Sequence, residues 1–267
     1  MKKRTILGAN KPVVGVIHVA ALPGTPKYEG NVKAIIDLAV KEAKIYKESG
    51  INAIVVENMH DVPYLKKNAG HEISTLMSVI GYEVKNMSGL PCGIQILAGA
   101  NKQALAAAHS AGLDFIRVEG FVFAHIADEG IIESDAGELL RYRKQIGAED
   151  ILIFTDIKKQ HSSHTITNDV SISETAKAAE FFLSDGIVVT GTATGEEANV
   201  DEIRSVREST RLPVLIGSGI TPGNIENYYE LADGFIVGSY LKKAGIWKNQ
   251  VDPQRVKKLI QAVNKLF

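Results

Sequence analysis

Residues 213–245 read PVLIGSGITPGNIENYYELADGFIVGSYLKKAG. Two short apolar runs, 214–217 and 234–237, each stop on small residues, first Gly217-Ser218-Gly219 and then Gly238-Ser239. Runs this short, and apolar on both faces, suit parallel strands covered by helices. The same pattern recurs upstream at 13–18, 53–57, 93–97, 115–119, 151–156 and 186–190. Amphipathic stretches accompany these runs at 32–49, 102–110, 173–183, 200–209 and 253–267. In the first of them Ile35, Leu38, Ala39, Ile45 and Tyr46 share a stripe that Lys33, Asp37 and Lys41 avoid. Eight strand–helix units without a linker-like tract predict an α/β fold, a single-domain (β/α)8 TIM barrel, preceded by a short extension over residues 1–11. An open doubly wound sheet is the alternative. It usually opens with a glycine fingerprint after the first strand, where this chain has His18-Val19-Ala20.

Composition narrows the class of function. The chain has 267 residues and a formal net charge of −1, so no basic footprint points to nucleic acid. It is long enough to bury roughly three quarters of its unfolded surface. The single cysteine, Cys92, reads as a buried bystander and excludes a disulfide framework. The opening MKKRTILGANK carries charges without an apolar segment behind them. No stretch approaches the ~20 apolar residues that cross a bilayer. The expectation is a cytoplasmic protein without a transmembrane segment, with peripheral membrane contact and homo-oligomerisation left open. Tyr228, Tyr229 and Trp247 are read as serving an interface or the outer helix layer.

A barrel places its site at the C-terminal ends of its strands. Alternate residues counted back from each end point inward. That rule gathers His18 from the first strand, Glu57 from the second, Arg117 and Glu119 from the fourth, and Asp156 with Lys158 from the fifth. The sixth contributes Thr190, followed by Thr192 and Thr194. Acids, bases and a histidine around an apolar barrel mouth are placed to shift one another's pKa values. Asp156 with Lys158 resembles the carboxylate–amine pairing used for proton transfer, or a salt bridge across the top layer. His161 and His164 lie three apart in a polar loop, and with no second cysteine and no HExxH motif no metal site is expected there. A divalent cation held by Glu57 and Asp156 is the one cofactor the residue types admit.

The loops after the seventh and eighth strands of such barrels frequently bind phosphate through backbone N–H groups. Glycine leaves an anion unobstructed, and a hydroxyl adds a donor. Gly217, Ser218, Gly219, Gly238 and Ser239 fit that use, with Thr190 and Thr194 in the glycine-rich loop 190–195 beside them. Thr221-Pro222 then reads as the N-cap and first residue of the next helix.

The motifs together resemble the BtpA family, named for a factor in photosystem I biogenesis. The resemblance lies in the runs GVIH at 15–18, ALPGTP at 21–26, VENMHDVPY at 56–64, FIRV at 115–118 and DEGIIE at 128–133. It continues in TGTATG at 190–195, GSGITP at 217–222 and VGSYLKK at 237–243. It implies likeness to phosphate-binding TIM-barrel enzymes, and Asn58, inside one of these motifs, joins the expected binding set. Two departures stand out. Relatives tend to carry Arg-Val-Asn where this chain has Arg117-Val118-Glu119. They run Asp-Val…Lys-His where it has Asp156-Ile157-Lys158-Lys159-Gln160-His161. The expected function is an enzyme of sugar or nucleoside metabolism acting on a small phosphorylated compound. Isomerase, lyase and glycosidic cleavage all fit, with Glu57, Asp156, Lys158, His18 and Arg117 as the reacting groups. The rival is a non-enzymatic assembly factor for a membrane complex.

Overall fold

In a computed structural model, which describes residues 5–266, eight parallel strands close into a barrel in chain order. They are β1 (Val13–His18), β2 (Ala53–Glu57), β3 (Cys92–Gln95), β4 (Phe115–Val118), β5 (Leu152–Ile157), β6 (Gly186–Val189), β7 (Val214–Ile216) and β8 (Gly234–Val237). Around them run α1 (Val32–Glu48), α2 (His71–Ser88), α3 (Asn101–Ser110), α4 (Ala136–Gln145), α5 (Ile172–Phe181), α6 (Val200–Ser209), α7 (Ile225–Tyr229) and α8 (Pro253–Asn264). The (β/α)8 expectation holds, and the open-sheet alternative falls because β8 pairs with β1. Among the described residues no helix is long and apolar enough to cross a membrane.

Local chemistry explains several helix starts. Asn31 caps α1 by accepting from Ala34 N–H, and Ser171 with Glu174 forms a capping box on α5. Asp252 caps α8, with Pro253 at its first position. Thr221-Pro222 does not act this way. Its helix, α7, begins at Ile225 behind Asn224, and the Thr221 hydroxyl instead accepts from Gly223 N–H in a tight turn.

The inward parity holds along the strands. Val14, Val16, Ala53, Val55, Phe115, Phe154, Val188, Leu215 and Ile236 form one interior cluster. Phe115 and Phe154 meet edge to face at 5.5 Å, a favoured geometry. Each ring occupies space that a neighbouring strand vacates: a Cβ at Gly93 would lie 2.3 Å from the Phe115 ring, and one at Gly186 2.5 Å from Phe154. Of the N-terminal extension, residues 1–4 lie outside the described residues. Thr5–Ile6 pairs with Ala9–Asn10 as a small hairpin, and Ile6 joins the interior cluster below the strands. The barrel is therefore a packed core, and only its C-terminal rim is open to chemistry.

Candidate active site

Arg117 is the centre of the rim. Its Nε and Nη2 donate to the two oxygens of Asp156, each at 2.8 Å, and Nη1 donates to Glu57 Oε1 at 3.1 Å. All three side chains are buried. Burial opposes the guanidinium charge, yet Asp156 and Glu57 hold its pKa above the ordinary value. The same burial pushes the Glu57 carboxyl up, with Arg117 pulling it back. Where the residue types alone admit a divalent cation, the Arg117 guanidinium spans Glu57 and Asp156. Among the described residues no group of three or more His, Cys, Asp or Glu is placed to hold a metal.

His18 faces Glu57, with Nε2 4.0 Å from Glu57 Oε2. Its Nδ1–H donates to the carbonyl of Trp247 at 2.7 Å. A carbonyl can only accept, so Nδ1 carries the proton and Nε2 presents a lone pair. Burial first, and then the charge of Lys242, lowers the His18 pKa well below the usual imidazole value. The ring is thus a neutral base rather than an acid at physiological pH.

Lys158 does not join this group. Its backbone adopts φ 47°, which breaks the strand alternation after Ile157. The Lys158 ammonium donates to the Thr167 carbonyl at 3.0 Å, and burial lowers its pKa. Lys159 enters the site instead, 3.2 Å from Glu119 Oε1 and 9 % exposed. Asn58 is also absent from the cleft wall: its amide donates to Asp61 and its oxygen accepts from Leu97 N–H, each at 2.8 Å. It braces two loops.

The Gly-Ser strand ends turn out to do more than bare the backbone. A Cβ on Gly217 would sit 3.2 Å from Arg117 Nη2 and 2.5 Å from Val188. One on Gly238 would sit 3.2 Å from His18 Nε2. These glycines clear space for large polar groups of other strands. Gly219 has φ +69°, and a Cβ there would lie 2.3 Å from the Glu196 carbonyl oxygen, so only glycine suits it. Ser218 is engaged between loops: its hydroxyl accepts from Gly191 N–H at 2.6 Å and donates to the Glu196 carbonyl at 2.9 Å. The N–H groups of Ser218, Gly219 and Ile220, in contrast, have no protein acceptor among the described residues.

Thr190 and Thr194 hold the neighbouring loops. Thr190 Oγ1 accepts from Gln160 N–H at 3.2 Å, and Thr194 N–H donates to His161 Nε2 at 3.0 Å. His164 Nε2 lies 3.1 Å from the Lys159 carbonyl. The two histidines are loop ties.

Two adjoining hollows of ≈ 200 and ≈ 390 Å³ open over these residues and share Glu57, Met59, Arg117, Gln160 and Thr194. The smaller lies against Gly217–Gly219, Gly238, Ser239 and Arg255; the larger reaches Glu119, Asp156, Lys159 and Trp247. Trp247 therefore belongs to the cleft, beside His18 and His60 at ring distances of 5.9 and 5.1 Å. It is not part of an outer layer. Tyr228 and Tyr229 are buried. Sequence reasoning missed Lys159, Trp247 and Arg255 as site residues, because strand-end parity reaches neither the loops that carry the first two nor α8, which carries Arg255.

Fold and rim together define a (β/α)8 barrel with a polar cleft at the C-terminal ends of its strands. The chain belongs to the BtpA family, whose family model matches residues 9–265. It is 49% identical over 267 residues to a Caenorhabditis elegans protein named as uncharacterised and mitochondrial, covering 98% of this chain and 96% of that one. It is 34% identical over 255 residues to the photosystem I biogenesis protein BtpA of Synechocystis sp., covering 95% and 88%. Among solved structures it is similar to thiamine phosphate pyrophosphorylase from Pyrococcus furiosus, with a TM-score of 0.59, 14% identity and 96% of each chain covered. Phosphoribosyl anthranilate isomerase from Thermus thermophilus matches with a TM-score of 0.59, 12% identity, and 95% and 99% covered. At such identities the likeness shows the fold alone.

Proposed function

We propose that this protein is an enzyme that binds a small phosphorylated sugar or nucleoside-type compound and moves a proton on it. The observation that carries the reading is the buried Glu57–Arg117–Asp156 network with His18 beside it at the open end of a barrel. Charged groups are costly to bury, and a cleft that holds them paired, next to a neutral base, suits acid–base catalysis. His18 Nε2 takes the proton and, as an imidazolium facing the Glu57 carboxylate, returns it to the neighbouring position. Asp156, bound at both oxygens, orients Arg117, which steadies the negative charge that develops on the substrate. Lys158 points away, so a Schiff base there has no support. The phosphate sits over the free N–H groups of Ser218, Gly219 and Ile220, with Ser239 and Arg255 alongside.

That the two structural relatives are named for phosphate-bearing compounds supports the choice of ligand class. No divalent cation is needed for this reading. The test is thermal melting against a panel of sugar and nucleoside phosphates. A ligand at about 100 times its Kd adds about 2.7 kcal/mol of stability, and a panel inert throughout, inorganic phosphate included, overturns the reading. A second reading, an assembly factor for a membrane complex, is favoured by the name of the Synechocystis relative. It requires that Glu57→Gln and Arg117→Lys leave the cellular role intact in a strain that lacks the native protein.

A further inference from the structure

The larger hollow has a polarity of its own. Among the described residues only five buried side-chain nitrogen or oxygen atoms lack a hydrogen-bond partner, and three of them belong to residues lining this one space. They are Glu119 Oε2, Glu129 Oε2 and Gln160 Oε1. All three are acceptors. A buried acceptor without a donor costs about 1–3 kcal/mol, so a concentration of them in one cavity marks a partner that arrives with the ligand.

Charge points the same way. Arg117 binds Asp156 and Glu57, and Lys159 reaches Glu119 through Oε1. Asp128 and Glu129 make no ion pair among the described residues, and the single charge of Arg117 faces both Glu57 and Asp156, so the wall is net negative although Lys159 balances Glu119. Glu119 is 6 % exposed. The smaller hollow is the opposite, with unpaired N–H groups and Arg255 on its wall. The cleft therefore has an anion-seeking end and a donor-seeking, electronegative end.

We infer that the ligand is zwitterionic: a phosphorylated compound whose other end carries a protonated amine, received by Glu119, Glu129 and Gln160. The inference rests on the proposed phosphate site for the position of the anionic end. An ammonium offers three donors and one positive charge, which matches three orphaned acceptors and an unbalanced acidic wall. A neutral polyol satisfies the acceptors without balancing the charge. Burial raises the Glu119 pKa, with Lys159 pulling it back, so an arriving cation also stabilises the ionised carboxylate.

Two matched pairs of probes test it by titration calorimetry at about pH 6.5, where an amine of this kind is protonated: glucosamine 6-phosphate against glucose 6-phosphate, and glucosamine against glucose. The expected result is about tenfold tighter binding of the amino member in each pair. Glu119→Gln, which keeps the shape, reduces that ratio to about twofold or less, and Glu129→Gln, on a half-exposed loop residue, reduces it in part. Equal affinity within both pairs overturns the inference, as does a preference that survives both variants. Binding of magnesium ion alone, lost in Glu119→Gln, also overturns it by making the wall a metal site. If the amine preference holds while phosphate adds nothing in either pair, the phosphate site fails and the amine site stands.

Discussion

The two halves of the rim solve opposite problems. The half built by β1, β2, β4 and β5 buries His18, Glu57, Arg117, Glu119 and Asp156 and ties its acids to Arg117 and Lys159. The half built by β6, β7 and β8 carries glycine, serine and threonine and leaves main-chain donors open. The contrast is complementary in space as well as in chemistry. Arg117 reaches across the mouth to lie over Gly217, and His18, on the strand paired with β8, lies over Gly238. The small residues exist partly because the large ones do.

This difference sets an order of fragility. Arg117→Met removes the one partner among the described residues that binds both Asp156 and Glu57, stranding two buried carboxylates. It should cost about 3–5 kcal/mol, read as a lower denaturation midpoint at neutral pH, with partial recovery in acid as the carboxylates take up protons. A midpoint unchanged from wild type would mean the network is not what holds this half.

On the other half, Gly219→Ala forces a Cβ against the Glu196 carbonyl at a positive φ, and about 2 kcal/mol should be lost. The damage is steric, so it should not vary with pH. A pH-dependent loss would blur the distinction between the halves.

A smaller effect tests by titration the short strand His125–Ala127, which lies outside the barrel beyond β4. Burial, with Lys159, lowers the His125 pKa to about 4. Below the ordinary value near 6.5 the unfolded chain takes up a proton that the folded state refuses until about pH 4, so stability falls as pH falls through this window. His125→Gln should remove about 1 kcal/mol of that loss between pH 7 and 5, after allowance for solvent screening. A Tm–pH slope identical to wild type contradicts the burial of a neutral ring.

Much of this was legible in the order of residues. The bounds of β1, β2 and β8 coincide with the apolar runs that announce them, and the inward parity from Val14 to Asp156 follows from strand geometry alone. Parity failed at Lys158, because one left-handed residue turns the chain and hands the inward place to Lys159. α4 and α7 were faint, the first because only Ala136 and Leu139 bury themselves, the second because it spans five residues. The reasons for Gly217 and Gly238 could not be read locally. They are set by side chains that arrive from other strands, Val188 and Arg117 at Gly217 and His18 at Gly238.

In the proposed function the β7–β8 half grips the anion while the β1–β5 half holds the reacting groups. Calorimetric titration of inorganic phosphate into wild type, Ser239→Asp and Glu57→Gln tests it most directly. Phosphate should bind wild type, bind Glu57→Gln within about threefold of it, and lose about tenfold or more in Ser239→Asp, where a carboxylate meets the anion. Phosphate that binds none of the three, or that is lost from Glu57→Gln as fully as from Ser239→Asp, contradicts it.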